Sequence, residues 1–307
     1  MESCQPGSDN GNLAGAAAAG AEPEAQGYSA RATWGRLALA ATAYLAVGFI
    51  GAHATQARGL PSGGVAAIAI VAGVAFIGIA VAIIALVARL PLSAKSQLAL
   101  VIAFGLVFGA ALVVQLRLRA SEGSPIALVR SVALMIAATA FGVMASRIVR
   151  ERNLLVPVAV VAGAVDIWGV YFGFVAEVQK KAPEIAQHLS AAVPAASAAQ
   201  VPVPLLSAVG PGDFLFMGLF VAAVRRLRMN LRATLWALFV AFLIVPAVFA
   251  VAGLPALPGL PFIGVAVIVA NWRHFRFSRA EKFAVLYAVL GIAAAVGVGL
   301  GVRELLR

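Results

Sequence analysis

One cysteine stands among 307 residues, and Asp and Glu together contribute only 12 side chains. A lone thiol, Cys4, forms neither an internal disulfide nor a Cys-based metal site. The three histidines (His53, His188 and His274) are far apart in sequence, and no HExxH zinc motif or GxSG serine motif occurs. Zinc-dependent and serine-dependent chemistry therefore lack their residues, and neither a metal nor a cofactor is expected. Charge is scarce as well, at 11% of the chain.

What fills the chain instead is apolar: 63% hydrophobic residues and a mean hydropathy of +1.00. A water-soluble domain of this length has too much surface to leave so little of it polar, whereas lipid tolerates it. The net charge of +11 would suit nucleic acid, but the bases form no single domain. They sit in short clusters between apolar runs, as loops flanking membrane spans do. A nucleic-acid partner is excluded on that ground, and the lipid bilayer is the expected environment.

From Met1 to about Ser29 the chain is rich in Ala, Gly, Glu and Pro and holds no long apolar run, so a disordered tail is expected over residues 1–30. Crossing about 30 Å of hydrocarbon takes roughly 20 apolar residues. Nine stretches qualify: Leu37–Ala54, Gly64–Ala88, Leu98–Leu116, Ile126–Ala145, Leu154–Phe174, Val203–Val224, Ala233–Ala252, Leu254–Trp272 and Phe283–Val302. The expected fold class is an all-α polytopic bundle of about nine transmembrane helices. Only Gly253 separates the seventh stretch from the eighth, which requires a sharp turn, and Pro255, Pro258 and Pro261 make a poor helix start.

Counting Lys and Arg on alternate sides puts fifteen on one side, with the N-terminus, and eight on the other. The positive-inside rule then predicts a cytosolic N-terminus. The wealth of Ala, Gly, Val and Arg points to a GC-rich prokaryotic genome and hence to the plasma membrane. Arg130, inside the fourth stretch near its outer end, is expected to snorkel to the interface. In the long loop from about Val175 to Pro202, Pro183 opens a possible short surface helix through Glu184, Ile185, Leu189 and Val193.

The chain has three aspartates. Asp9 is in the tail; the others lie within apolar runs, Asp166 in VAVVAGAVDIWGVYFGF and Asp213 in VPLLSAVGPGDFLFMGLF. A carboxylate deep in a bilayer is costly, so it faces a partner or a wet cavity and marks function by default; the bland alternative is a polar contact that glues helices. Gly210 and Gly212 flank Pro211 just before the second acid, and small residues there let a neighbouring helix approach. Pro211 is expected to kink its helix about one turn earlier, near Ser207. Downstream, Leu254-Pro255-Ala256-Leu257-Pro258 opens an apolar span with extended backbone, able to line a cavity.

An aspartate in one span, GxGD in the next, then a further span and a PAL motif opening another resembles the order in presenilins and signal peptide peptidases, the GxGD intramembrane aspartyl proteases. The match runs from about Leu154 to Trp272, and DIWGVYFG, GPGDFLF and LPALP carry it. The resemblance implies that Asp166 and Asp213 are the catalytic pair, with Gly210, Gly212, Pro255, Ala256 and Leu257 as support. Trp168, Tyr171 and Phe214 are candidate cavity-lining residues. It divides the chain into the tail, N-terminal transmembrane helices (31–150), a catalytic core (151–275) and an added C-terminal helix (276–307). It further implies transmembrane helical proteins or peptides as substrates, cut by a water that the two acids activate. The helix after Pro183 would correspond to the family's small interfacial helix. Four features depart from the pattern: Val165 where a Tyr is usual, Pro211 as the variable GxGD residue, four spans rather than five before the first acid, and a span after the PAL helix.

Other readings use the same residues. Mid-membrane carboxylates and helices broken by Gly and Pro also mark secondary transporters and proton-coupled channels, although no inverted repeat is evident. Prepilin-peptidase-like enzymes share GxGD but act at the cytosolic boundary. A scaffold would use the acids only to lock helices.

Overall fold

The computed structural model describes residues 12–54, 62–121, 123–171, 173, 190–191, 209–251, 258–279, 283, 287 and 291. The described residues give eight complete α-helices in order: α1 Asn12–Ala54, α2 Ser62–Arg89, α3 Ala94–Leu118, α4 Pro125–Ala145, α5 Leu155–Tyr171, α6 Pro211–Arg226, α7 Leu231–Val251 and α8 Leu260–Ala270. Among the described residues there is no strand, only an isolated antiparallel bridge between Ala191 and Val209.

The ends of the helices have local causes. Ser93 precedes α3, and its hydroxyl accepts the amide of Ser96; Arg119 closes α3 in the left-handed region at φ 48°. Ser124 caps α4 through the amide of Ala127, with Pro125 in the first turn, where its missing N–H is no loss. α1 begins at Asn12, inside the stretch expected to be a disordered tail, because its alanines favour helix. Its apolar span starts only at Ala30.

Among the described residues, five helices are long and apolar enough to cross a membrane: Ala30–Gly51, Ile70–Arg89, Ala94–Leu118, Pro125–Ile148 and Arg152–Val170. Leu98, Ile102, Leu106 and Leu116 of α3 are exposed, whereas Arg130, Ser131, Thr139, Thr234 and Asn271 are buried. The sixth and eighth expected spans are shorter as helices, α6 with 16 residues and α8 with 11. Residues 203–208 and 252–257, where those spans were expected to begin, lie outside the described residues. So do the helix after Pro183, the turn at Gly253 and most of Phe283–Val302.

α4 and α6 form the centre, packed on each other and both against α2. Small residues make that approach possible. A β-carbon on Gly142 would fall 1.9 Å from the carbonyl oxygen of Leu215, and one on Gly218 would fall 2.5 Å from that of Thr139. Phe220, Val221, Ala223 and Val224 of α6 are buried along this seam. α5 packs chiefly on α8, and α8 on α7. There the buried Asn271 amide donates to Thr234 Oγ1 (2.7 Å) and to the Val267 carbonyl (2.9 Å), and its oxygen accepts the Asn230 amide (2.9 Å). Such a satisfied buried amide fixes one helix register against the other.

One end of the bundle is basic. Arg225 Nη1 donates to the Ala88 carbonyl (2.8 Å), Arg152 Nε to Leu227 (3.1 Å), and Arg226 to the carbonyls of Ser146 (2.6 Å) and Val149. These acceptors lie at or just beyond the C-termini of α2, α6 and α4, where the helix dipole favours cations.

Candidate active site

The two acids reach the same level of the bundle from opposite chain directions. Asp166 lies 14 residues beyond Arg152 on α5, and Asp213 lies 13 residues before Arg226 on α6. At 1.5 Å per helical residue, each stands about 20 Å from the basic end. α8 covers a similar distance from Trp272 back to Leu260, so its first turn arrives at that level too.

Local structure differs from the sequence expectation in one important respect. Pro211, expected to kink a longer helix, instead begins α6, with Gly210 as the preceding extended residue at φ −72°, ψ 159°; Ser207, where the kink was expected, lies outside the described residues. Proline suits a first helical position, because its fixed φ fits the helix and no amide hydrogen is missed. Asp213 therefore sits in the first turn of α6 rather than mid-helix, and its Oδ2 accepts the Gly210 amide at 3.1 Å. Asp166 lies in the last third of α5, with its side chain turned to α8: Oδ2 accepts the Leu260 amide at 2.9 Å, and the Gly259 amide also faces it.

Gly259 is where the acids come together. A β-carbon on that residue would lie 2.5 Å from Asp213 Oδ1 and 3.0 Å from its carboxyl carbon. The carboxyl of Asp213 thus rests on the backbone of Gly259, while Asp166 is held by the amide of the next residue. The Asp166 carboxyl is close enough to act electrostatically on that of Asp213. Both are partly buried, and Pro258 and Leu260 on either side of the glycine are buried.

The remaining candidates divide. Gly210 borders the site, with its missing β-carbon 3.6 Å from Asp213 Oδ2, but no described atom lies within 4 Å of the corresponding point on Gly212. The packing role expected of Gly212 thus belongs to Gly259. Phe214 is buried in the core beside Asp213. Trp168 is 49% exposed and shares an outward stripe of α5 with Val161 and Val165, so it does not line the corner as expected. Two residues along a helix turn it about 200° away from Asp166. The side chain of Tyr171 and the PAL residues Pro255, Ala256 and Leu257 lie outside the described residues.

Sequence reasoning missed Gly259 and Leu260. The signal available was the Gly259-Leu260-Pro261 tripeptide, since a proline in a first turn marks a helix start and hence free amides. Arg130 was misplaced too. It does not snorkel but is wholly buried, and its Nη2 donates to the Ser190 carbonyl at 3.3 Å.

Chemically, the corner offers two carboxyls, the helix-start amides that hold them and an apolar surround. Among the described residues, no group of three or more His, Cys, Asp or Glu could hold a metal ion. No family model, curated protein or solved structure matches the chain.

Proposed function

We propose that the chain is a multi-pass membrane protein of the prokaryotic plasma membrane, its N-terminus cytosolic, that hydrolyses peptide bonds within transmembrane segments. The reading makes it a presenilin-like aspartyl protease of about nine spans, with Asp166 and Asp213 as the catalytic pair. One observation carries it: carboxyls from two helices meet on the backbone of Gly259 and Leu260, just after the PAL sequence. A scaffold would gain as much from acids placed at separate helix ends. Bringing both to one residue forces two like charges together, which is costly unless they share a proton.

In that state the ionised acid takes a proton from a water as the water attacks the peptide carbonyl, and the protonated acid donates to the carbonyl oxygen. The tetrahedral diol then collapses, with a proton delivered to the leaving nitrogen. A substrate helix hides its carbonyls in its own hydrogen bonds, so it must unwind locally, and glycine near the cut assists. With the N-terminus cytosolic, the preferred substrates also have cytosolic N-termini.

The short helices α6 and α8, with their N-termini at the acids, also suit an ion-coupled transporter, where half-helix ends form the binding site. One experiment separates the two. Detergent-purified chain is incubated with a model transmembrane peptide, with and without an aspartyl-protease transition-state analogue. Cleavage that the analogue blocks and that Asp166→Asn and Asp213→Asn each abolish is the expected result. Ion-coupled uptake into proteoliposomes that the analogue leaves untouched, with no cleavage, would establish transport instead.

A further inference from the structure

We propose that Arg130 is a positioning residue that holds Asp213 in place through the segment leading into α6. The inference rests on the protease reading for its catalytic consequence, but not for its geometry. Arg130 is the bulkiest wholly buried side chain among the described residues, on a helix otherwise lined with small and apolar groups. It lies 16 residues before Ser146, so it stands about 24 Å from the basic end, close to the level of the two acids.

Its guanidinium donates to the carbonyl of Ser190. The next residue, Ala191, pairs with Val209 through two backbone hydrogen bonds, Ala191 N–H to Val209 O at 3.0 Å and Val209 N–H to Ala191 O at 3.2 Å. Val209 is followed at once by Gly210, whose amide donates to Asp213 Oδ2. A continuous hydrogen-bonded path therefore runs from a buried cation on α4 to the second acid on α6. Tyr44 of α1, also wholly buried, lies near Arg130 and Ser131.

The chemistry suits a fixed point. A guanidinium keeps its charge and presents several donors in a rigid plane, so it grips a carbonyl more tightly and directionally than a neutral side chain does. Its burial also keeps it away from bulk solvent. That grip ties the Ala191–Val209 bridge to α4 and gives Gly210 an upstream support.

The test uses the full chain in liposomes with Cys4→Ser as background. Ala191→Cys and Val209→Cys are added to report the bridge, since hydrogen-bonded antiparallel neighbours lie about 5.5 Å apart, within disulfide reach. Arg130→Gln is expected to slow disulfide formation about tenfold, and Arg130→Lys to restore part of the rate. In chains without the reporter cysteines, Arg130→Gln is expected to lower kcat on a transmembrane peptide about 10-fold to 100-fold and leave KM nearly unchanged. Ala191→Pro removes one bridge amide outside every helix, so it reproduces the kcat loss even where Arg130→Gln fails to fold. Unchanged disulfide formation in Arg130→Gln overturns the tether, and so does wild-type kcat in Ala191→Pro. Slowed disulfide formation with unchanged kcat overturns the positioning role. Slowed disulfide formation in a chain that cleaves nothing supports the tether and overturns the protease reading alone.

Discussion

The two ends of the α5–α6–α8 group obey the same electrostatic rule with different results. At the basic end, Arg152, Arg225 and Arg226 each reach carbonyls of their own at or beyond helix C-termini. At the acid end, Asp166 and Asp213 accept amides at the N-termini of α8 and α6. Cations at C-termini and anions at N-termini are both what helix dipoles favour. The cations, however, are spread over separate acceptors, whereas the two anions converge on one glycine. Spreading is what stability alone selects. Convergence sacrifices some of that stability, and a site that needs two acids on one water is a reason to do so.

The comparison can be broken most severely at the acids. Asp166→Asn and Asp213→Asn are each expected to lower peptide cleavage by at least about 10³-fold, within the range of lost acid–base catalysis. Thermal stability in detergent should change by no more than a lost helix cap, about 1 kcal/mol. Wild-type turnover in either variant would remove the acids from the chemistry, and gross unfolding in both would make them structural.

Next in size is Gly259→Ala. The added methyl would fall 2.5 Å from Asp213 Oδ1, so the carboxyl must move. A displacement on that scale is expected to cost about 10²-fold in kcat with the fold retained. Gly218→Val, by contrast, attacks the α4–α6 seam, where the nearest atom is a backbone oxygen that cannot swing aside. It should destabilise the bundle by about 3 kcal/mol or prevent folding, read as lost monodisperse yield. Smallest is Arg226→Ala at the basic end. Losing charged bonds to two carbonyls should cost about 2 kcal/mol in stability and leave turnover per folded molecule unchanged. A large turnover loss there would erase the distinction between the two ends.

Much of the helical framework was legible in the sequence. The stretch Ile126–Ala145 became Pro125–Ala145, and Leu154–Phe174 became Leu155–Tyr171, because apolar runs of that length bounded by Ser, Arg and Asn admit few readings. The pairing of Asp166 with Asp213 was also readable, as the only two aspartates inside apolar runs. The start of α6 was not. Gly210-Pro211 in a continuous apolar stretch fits both a kink and a helix start, and the extended Gly210, with its amide hydrogen-bonded to Asp213, decides for the start. For the Leu260 amide the sequence offered only Pro261 as the mark of a helix start, and nothing that joins this backbone group to Asp166, 94 positions away. Arg130 misled for a related reason. An arginine near a span end ordinarily finds the interface, and nothing local reveals that the Ser190 carbonyl waits inside.

The most direct test of the account is an experimental structure of the chain in a lipid nanodisc, at a resolution that shows ordered water. The account expects Asp166 and Asp213 on either side of Gly259, with one water hydrogen-bonded to both carboxyls, which requires their nearest oxygens to lie within about 5.5 Å. Carboxyls that cap α6 and α8 separately, too far apart for any single water to touch both, would contradict it.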